Sequence, residues 1–146
     1  MLPADETSPM GPIPVGIWRL NQSRSRLLSA KAMTLWILQN DGEELAWVAV
    51  ETNSERVTQV ISWRGRYGGL PAKTAGAAAI EARLTSAPHE GIRTEGEFPG
   101  MGSFVEVCTL TEGGKRMICK GEVTTPTGVQ HYLEDFDWVS ESPHRL

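Results

Sequence analysis

The apolar residues of this chain recur mainly at every second position, and turn-forming residues interrupt them about every 8–12 residues. A period of two is typical of strands that bury one face. The segment "AMTLWILQ" (32–39) is an example, and it is followed by "NDGE", whose Asn, Asp and Gly tolerate the positive φ of a tight hairpin. The pattern predicts about nine strands joined mostly in sequence.

An antiparallel sheet with that many strands tends to curl, and closing it removes the exposed edges. We therefore predict an all-β fold, a single up-and-down antiparallel β-barrel of about eight to ten strands, with a two-sheet sandwich as the alternative. The barrel domain is expected over 15–140. The proline-rich residues 1–14 are predicted to be a flexible N-terminal arm and 141–146 a C-terminal tail.

The expected strands have unequal support. The segment 77–86 favours a strand by alternation, although its Ala, Glu and Arg content also suits a helix. The glycine-rich residues 64–76 are predicted to be a long connection, and Tyr67 and Leu70 in it could cap a barrel mouth. Strands are expected at 15–21, 32–39, 44–52, 56–63, 77–86, 92–97, 103–111, 116–123 and 129–140.

Charge and cysteine content restrict the partners and the location. The chain has 14 Lys and Arg against 18 Asp and Glu, a net charge of −4, which disfavours nucleic acid. No secretory pattern and no apolar run of membrane-spanning length is visible, so we expect a soluble, cytoplasmic protein with no membrane partner. Cys108 and Cys119 fall on neighbouring predicted strands, where a bridge is conceivable, but buried free thiols are the expectation.

The stretch "GIWRLNQSRSRL" (16–27) resembles the opening of a bacterial family of small calycin-like, or lipocalin-like, domains. That opening has a Gly-Thr-Trp-Lys-Leu-Asn pattern followed by Lys-Ser, with Ile17 here in place of Thr. The segment "RYGGLPAKTAG" (66–76) resembles a second loop of the family. The matching residues are Gly16, Trp18, Arg19, Leu20, Asn21, Arg24 and Ser25, then Tyr67, Gly69, Pro71 and Gly76.

The resemblance implies a barrel with an interior cavity and supplies no catalytic set. It also implies that Trp18 packs across the narrow end of the barrel as a structural plug. Arg24 or Arg26 is then the expected partner stacked on its ring.

The binding hypothesis is that the barrel holds a small, mainly apolar molecule in a central cavity. In the last strand the aromatic row is expected to face inward, because three aromatic side chains bury more area than one leucine. No cofactor and no metal is expected, since no metal-ligand spacing or phosphate-binding loop occurs. A homodimer is compatible with the sequence. The expected ligand-binding residues are Trp36, Trp47, Trp63, Tyr67, Phe104, Phe136 and Trp138.

The alternative hypothesis is a cofactor-free isomerase, cyclase or dehydratase that acts on an apolar, natural-product-like substrate in the same cavity. Glu106 and Glu134 lie on otherwise apolar rows, and burial would raise their pKa toward that of a general acid or base. Glu106, Glu134 and Tyr132 are therefore the catalytic candidates. A salt bridge to an arginine such as Arg83 or Arg93 is the structural explanation for such carboxylates. A third possibility is a structural protein whose interior is filled by side chains.

Overall fold

A computed structural model describes residues 13–76 and 79–142 and shows one antiparallel sheet of eleven strands. The first strand pairs with both the second and the last, and the other pairs are mostly sequential, so the sheet rolls into a nearly closed barrel. The predicted all-β, up-and-down barrel is confirmed. The strands are β1 Gly16–Leu20, β2 Lys31–Asn40, β3 Glu44–Asn53, β4 Thr58–Arg66, β5 Ala72–Lys73, β6 Ala75–Gly76, β7 Glu81–Leu84, β8 Ile92–Phe98, β9 Gly102–Thr111, β10 Arg116–Thr125 and β11 Gly128–Ser140.

The barrel is closed by a segment predicted to be an irregular connection. Strand β5 pairs with β7 and strand β6 pairs with β4, and only Thr74 separates β5 from β6. Tyr67 also forms a backbone bridge with Leu84. The prediction for 64–76 is therefore wrong, because the residues after Trp63 continue β4 and then join its edge to that of β7. Residues 1–12 of the predicted arm and 143–146 of the predicted tail lie outside the described residues.

The inner face of the barrel follows from the strand register. Trp18 lies directly opposite Trp36 on one side and Trp138 on the other, and Trp47 lies opposite Trp63. Trp18 is 1% exposed and its Nε1 donates to the Val15 carbonyl at 2.9 Å, as a structural residue would. The predicted inward orientation of the last strand's aromatic row agrees with this register.

The expected stack of an arginine on Trp18 is wrong. Arg24, in a 3-10 turn after β1, instead contacts Asp135 at 3.2 Å and Asp137 at 2.5 Å. Arg116 binds both carboxylate oxygens of Asp135, which is 2% exposed. Ion pairing with two guanidinium groups explains how a carboxylate is accommodated there.

The two cysteines form a disulfide, so the expectation of free thiols is also wrong. Cys108 on β9 and Cys119 on β10 lie directly opposite each other and face inward. That register brings the two sulfur atoms together inside the barrel. No helix among the described residues is long and apolar enough to cross a membrane.

Candidate functional site

Gly121 is the residue around which the candidate site is built. It lies in the middle of β10, directly between Glu106 on β9 and Tyr132 on β11. A Cβ atom at this position would lie 1.9 Å from Cζ of Tyr132. The absence of a side chain therefore lets the Tyr132 ring lie flat across β10, and its hydroxyl donates to Oε2 of Glu106 at 2.5 Å. Sequence reasoning missed this residue, although a glycine inside a strand often marks such a close approach.

Glu134 completes the site from the next inward position of β11. It lies opposite Cys119, and the negative charge of Glu106 contributes to raising the pKa of Glu134. We call Glu106 and Glu134 the carboxyl pair. The structure thus brings together all three predicted catalytic candidates, since Tyr132 binds the same pair.

The arginines considered as salt-bridge partners do not reach this site. Arg93 binds Glu95 at 2.6 Å and Arg83 approaches the same Glu95 at 3.6 Å. Among the described residues, none of the ion pairs involves Glu106 or Glu134. Glu106 is therefore held by its hydrogen bond from Tyr132 rather than by a cation.

Burial and mutual repulsion determine the charge of the carboxyl pair. Burial raises the pKa of Glu106, while the hydrogen bonds from Tyr132 and Glu134 lower it. The pKa of Glu134 is raised well above its ordinary value, first by burial and then by the negative charge of Glu106. Because two neighbouring carboxyl groups cannot both ionise easily, the pKa is raised for both, and more strongly for Glu134. Burial also raises the pKa of Tyr132, which therefore keeps its proton.

Strand β2, which is separated from β11 by β1 alone, carries two polar atoms without partners. Lys31 and Glu51 form an ion pair at 3.1 Å, and Thr34 lies directly opposite Glu51. Within the described residues, Thr34 Oγ1 and Trp36 Nε1 are buried and have no hydrogen-bond partner. Buried polar groups are nearly always paired, so these two atoms are exceptions among the buried polar groups of the barrel. Neither residue was identified from the sequence for this property, and no sequence signal distinguishes them.

The aromatic side chains divide the interior into two parts. Trp36 packs on Phe136 with ring centroids 4.4 Å apart and meets Trp47 edge-on at 5.6 Å. Phe136 has no exposed surface, and Trp36 and Trp63 are buried. A side chain without exposure borders no space large enough for water, so this level of the barrel is filled. The aromatic residues expected to line a central cavity therefore pack largely against one another here.

Toward the end that carries Lys31 and Glu51, several inward-facing side chains are only half-buried, although Val123 opposite Phe104 is buried. We call this the open half, and its inner face includes Phe104, Glu106, Tyr132 and Glu134. Phe104 stacks on Phe98 with ring centroids 4.7 Å apart. Of the predicted ligand-binding residues, Phe104 is thus the one in the open half, beside the three catalytic candidates.

Two other predicted ligand-binding residues lie at the opposite end. The Tyr67 hydroxyl accepts a hydrogen bond from Nδ2 of Asn40 at 2.6 Å, which holds the ring in place. Lys115 lies 3.6 Å above the Trp138 ring, so a cation of the protein already occupies that face. An open space of about 520 Å³ borders Trp138 and Trp18 at this end, and one of about 380 Å³ lies on the outer wall near His131. Neither space includes the carboxyl pair.

One cluster in the described part of the chain has the spacing of metal ligands. The ligand atoms of Glu106, Cys108 and Cys119 lie within 4.8 Å of one another. The disulfide removes both thiolates, however, and a thiolate is the form of cysteine that binds metal. As it stands the cluster offers a single carboxylate, so it does not fit a resident metal ion.

Comparison of the chain with protein-family models, with curated proteins and with solved structures finds no match in any of the three. The resemblance to calycin-like domains therefore stays a prediction.

Proposed function

We propose that this chain binds a small, mainly apolar molecule in the open half of the barrel. The observation that carries the proposal is that four inward-facing side chains of this half, Phe104, Glu106, Tyr132 and Glu134, are only half-buried. Ligand sites typically combine apolar walls with a few polar groups that fix orientation. Phe104 and Tyr132 supply aromatic surface, and the carboxyl pair supplies the polar groups.

A fluorescent probe tests this proposal. N-phenyl-1-naphthylamine, which is neutral at neutral pH, brightens in apolar surroundings, and we expect saturable binding. Thr94 is half-buried and lies opposite Glu106 on β8, so Thr94→Phe places a ring in the open half. Thr109 is exposed on β9, and Thr109→Phe is the matched control. Thr94→Phe should weaken probe binding at least about tenfold, or 1.4 kcal/mol, and Thr109→Phe should not.

Two results would contradict binding in the open half. One is the absence of saturable binding by the unmodified protein. The other is equal affinity of both phenylalanine variants, provided that far-UV circular dichroism shows both to be folded.

A second candidate function is acid–base catalysis without a cofactor, on an apolar, natural-product-like substrate. The hydrogen bond between Tyr132 and Glu106, with Glu134 at the next inward position of β11, favours it. A carboxylate held away from water is a stronger base, and a neighbouring carboxylic acid can return a proton. Isomerisation, cyclisation and dehydration all need such a proton transfer.

The elimination of 5-nitrobenzisoxazole tests this second candidate without knowledge of the natural substrate. A base removes the ring C–H proton, the N–O bond breaks, and a coloured cyanophenolate is released. Glu106→Gln should lower kcat/KM at least about tenfold, because Glu106 is the member of the pair whose pKa is raised less and is the better candidate for the base. Glu122→Gln, on the outer face of β10, should leave the rate unchanged. Equal rates for both variants and the unmodified protein would exclude Glu106 as a general base.

The cytoplasmic location and the homodimer stay predictions. The Cys108–Cys119 disulfide weighs against the first, because structural disulfides are typical of oxidising compartments. Alkylation of free thiols in cells that express the protein, followed by mass spectrometry, would determine whether Cys108 and Cys119 are reduced or bridged.

A further inference from the structure

We propose that Glu106, Cys108 and Cys119 form a zinc site when the disulfide between the two cysteines is reduced. The site would hold a Zn²⁺ ion through two thiolates and one carboxylate. The sequence shows no metal-ligand spacing here, because the three residues come from two paired strands rather than from one short motif. Zinc binding by the reduced protein is separate from the binding of an apolar molecule by the oxidised one.

The ligand atoms of these residues are already gathered in the folded barrel. A carboxylate oxygen of Glu106 and the sulfur atoms of Cys108 and Cys119 lie within 4.8 Å of one another. The β9–β10 ladder fixes this arrangement, because Cys108 lies directly opposite Cys119 and Glu106 is the next inward residue of β9. Zinc binds sulfur at about 2.3 Å and oxygen at about 2.0–2.2 Å, so the ligand atoms of a tetrahedral site lie about 3–4 Å apart. Small side-chain rotations therefore suffice once the two sulfur atoms are no longer bonded.

The orientation of Glu106 is the second observation that points to a metal ion. The Tyr132 hydroxyl donates to Oε2 of Glu106 at 2.5 Å, while Oε1 lies 3.6 Å from Sγ of Cys108. The protein thus fixes one oxygen and directs the other at the sulfur atoms, and ligating carboxylates are typically held by such hydrogen bonds. Among the ion pairs in residues 13–76 and 79–142, none includes Glu106.

The open half gives the ion a route to the sulfur atoms. Cys108 and Cys119 have no exposed surface, whereas Glu106 and Tyr132, one level nearer the open end, are half-buried. A metal ion would therefore meet Glu106 first. The fourth position of a tetrahedral ion would face the same side, where water or Glu134, which lies opposite Cys119 in the register, can fill it.

Two chemical steps convert the disulfide into the site. A dithiol reductant transfers two electrons and two protons to the Cys108–Cys119 bond, which breaks into two thiols while the reductant is oxidised to a disulfide. Each thiol then releases its proton to solvent as its thiolate binds Zn²⁺. Buried thiols without a metal ion stay protonated, so the ion is what makes the thiolates stable there.

The redox state of the two cysteines would decide whether the site exists. Thiols are kept reduced in the cytoplasm, which is the location predicted from the sequence, and disulfides persist in oxidising compartments. We therefore expect the zinc form in a reducing compartment and the bridged form outside it.

Cobalt absorbance of the full chain tests the zinc site. The protein is reduced in denaturant with tris(2-carboxyethyl)phosphine, which offers no thiolate, and is refolded in the same reductant, and its free thiols are counted. Co²⁺ bound by thiolates absorbs through sulfur-to-metal charge transfer, and tetrahedral Co²⁺ has strong visible bands. We expect both signals from the reduced protein, saturation at an equimolar amount of Co²⁺, and bleaching by Zn²⁺. The oxidised protein should show neither signal.

A pair of variants tests the carboxylate ligand. Glu106→Gln should weaken Zn²⁺ binding to the reduced protein at least about tenfold, because it removes the oxygen ligand. Glu122→Gln, on the outer face of β10, is the matched control and should leave the affinity unchanged. The comparison of reduced with oxidised protein needs no variant, so it decides the matter even if Glu106→Gln does not fold.

Three results would overturn the zinc site. The first is a reduced, folded protein that lacks either cobalt signal, and the second is equal Zn²⁺ affinity of Glu106→Gln and Glu122→Gln. The third is a reduced chain that far-UV circular dichroism shows to be unfolded both with and without Zn²⁺. Folding of the reduced chain only with Zn²⁺ would support the site. Binding of N-phenyl-1-naphthylamine is measured on the oxidised protein, so failure of the zinc site leaves the proposed function standing.

Discussion

The hydroxyl of Tyr132 and the carboxylate of Glu106 are hydrogen-bonded at 2.5 Å, although a whole strand, β10, lies between their backbones. The bond exists because Gly121 leaves the inner face of β10 bare at that level. One glycine therefore allows two strands that do not pair with each other to share a polar site.

Gly121→Ala should destabilise the fold by about 1–3 kcal/mol, because the added methyl group overlaps the Tyr132 ring. Denaturant unfolding monitored by fluorescence measures the cost. In a Tyr132→Ala background the same substitution should cost much less, since the clashing ring is gone. An equal cost in both backgrounds would show that overlap with Tyr132 is not the cause.

Glu134→Gln should make stability less dependent on pH. The pKa of Glu134 is raised in the folded state above its ordinary value of 4.5, so the native state holds this proton more tightly than the unfolded chain does. Stability should then fall as pH rises above that ordinary value and through the raised one. Between about pH 5 and about pH 9, the free energy of unfolding should fall less for Glu134→Gln than for the original protein or for Glu122→Gln. A loss of the same size in all three would contradict the raised pKa.

Asp135→Asn should cost about 3 kcal/mol of unfolding free energy, because it leaves Arg24 and Arg116 without their buried carboxylate partner. The pKa of Asp135 is lowered, chiefly by its hydrogen bond to Arg116, so the same stabilisation is present above the ordinary pKa and lost as pH falls through the lowered one. Glu44→Gln is the control, since its ion pair with Arg64 is largely exposed, and it should cost about 0–1 kcal/mol. Similar costs for both substitutions would contradict the structural role of Asp135.

Replacing both cysteines by alanine should lower stability by about 2–3 kcal/mol, since the disulfide closes a short loop between residues 11 apart. The measurement is the denaturant midpoint with and without reductant. Reductant should lower the midpoint of the original protein and leave that of the double variant unchanged. If reductant changes neither midpoint, the bridge is absent or contributes nothing.

The candidate site was partly predictable. Glu106 and Glu134 stand out because a carboxyl group on an apolar row of a strand must be neutralised or bonded. Their mutual contact was not predictable, because it depends on the register of β9, β10 and β11 and on the gap at Gly121. Nothing in the sequence indicated that Thr34 and Trp36 carry unpaired polar atoms. Whether a polar atom has a hydrogen-bond partner depends on the neighbouring strands, which only the tertiary structure places.

Two structural predictions failed for a related reason. The segment 64–76 was predicted to be a loop because glycine and proline mark irregular chain, yet Ala72–Lys73 and Ala75–Gly76 pair with strands that only barrel closure brings near. Arg24 was assigned to Trp18, but Asp135 and Asp137 offer it charged partners.

The amino-acid sequence by itself determined the strands other than β5 and β6, their order and the face that the aromatic residues of the last strand bury. Those properties depend on local alternation and turn chemistry, which are readable along one chain. Only the tertiary structure decided which carboxyl groups meet, which cysteines pair and which polar atoms lack a partner. The physical reason is that each of these properties depends on side chains of different strands lying within a few ångströms of each other. How the whole barrel closes determines which side chains lie that close.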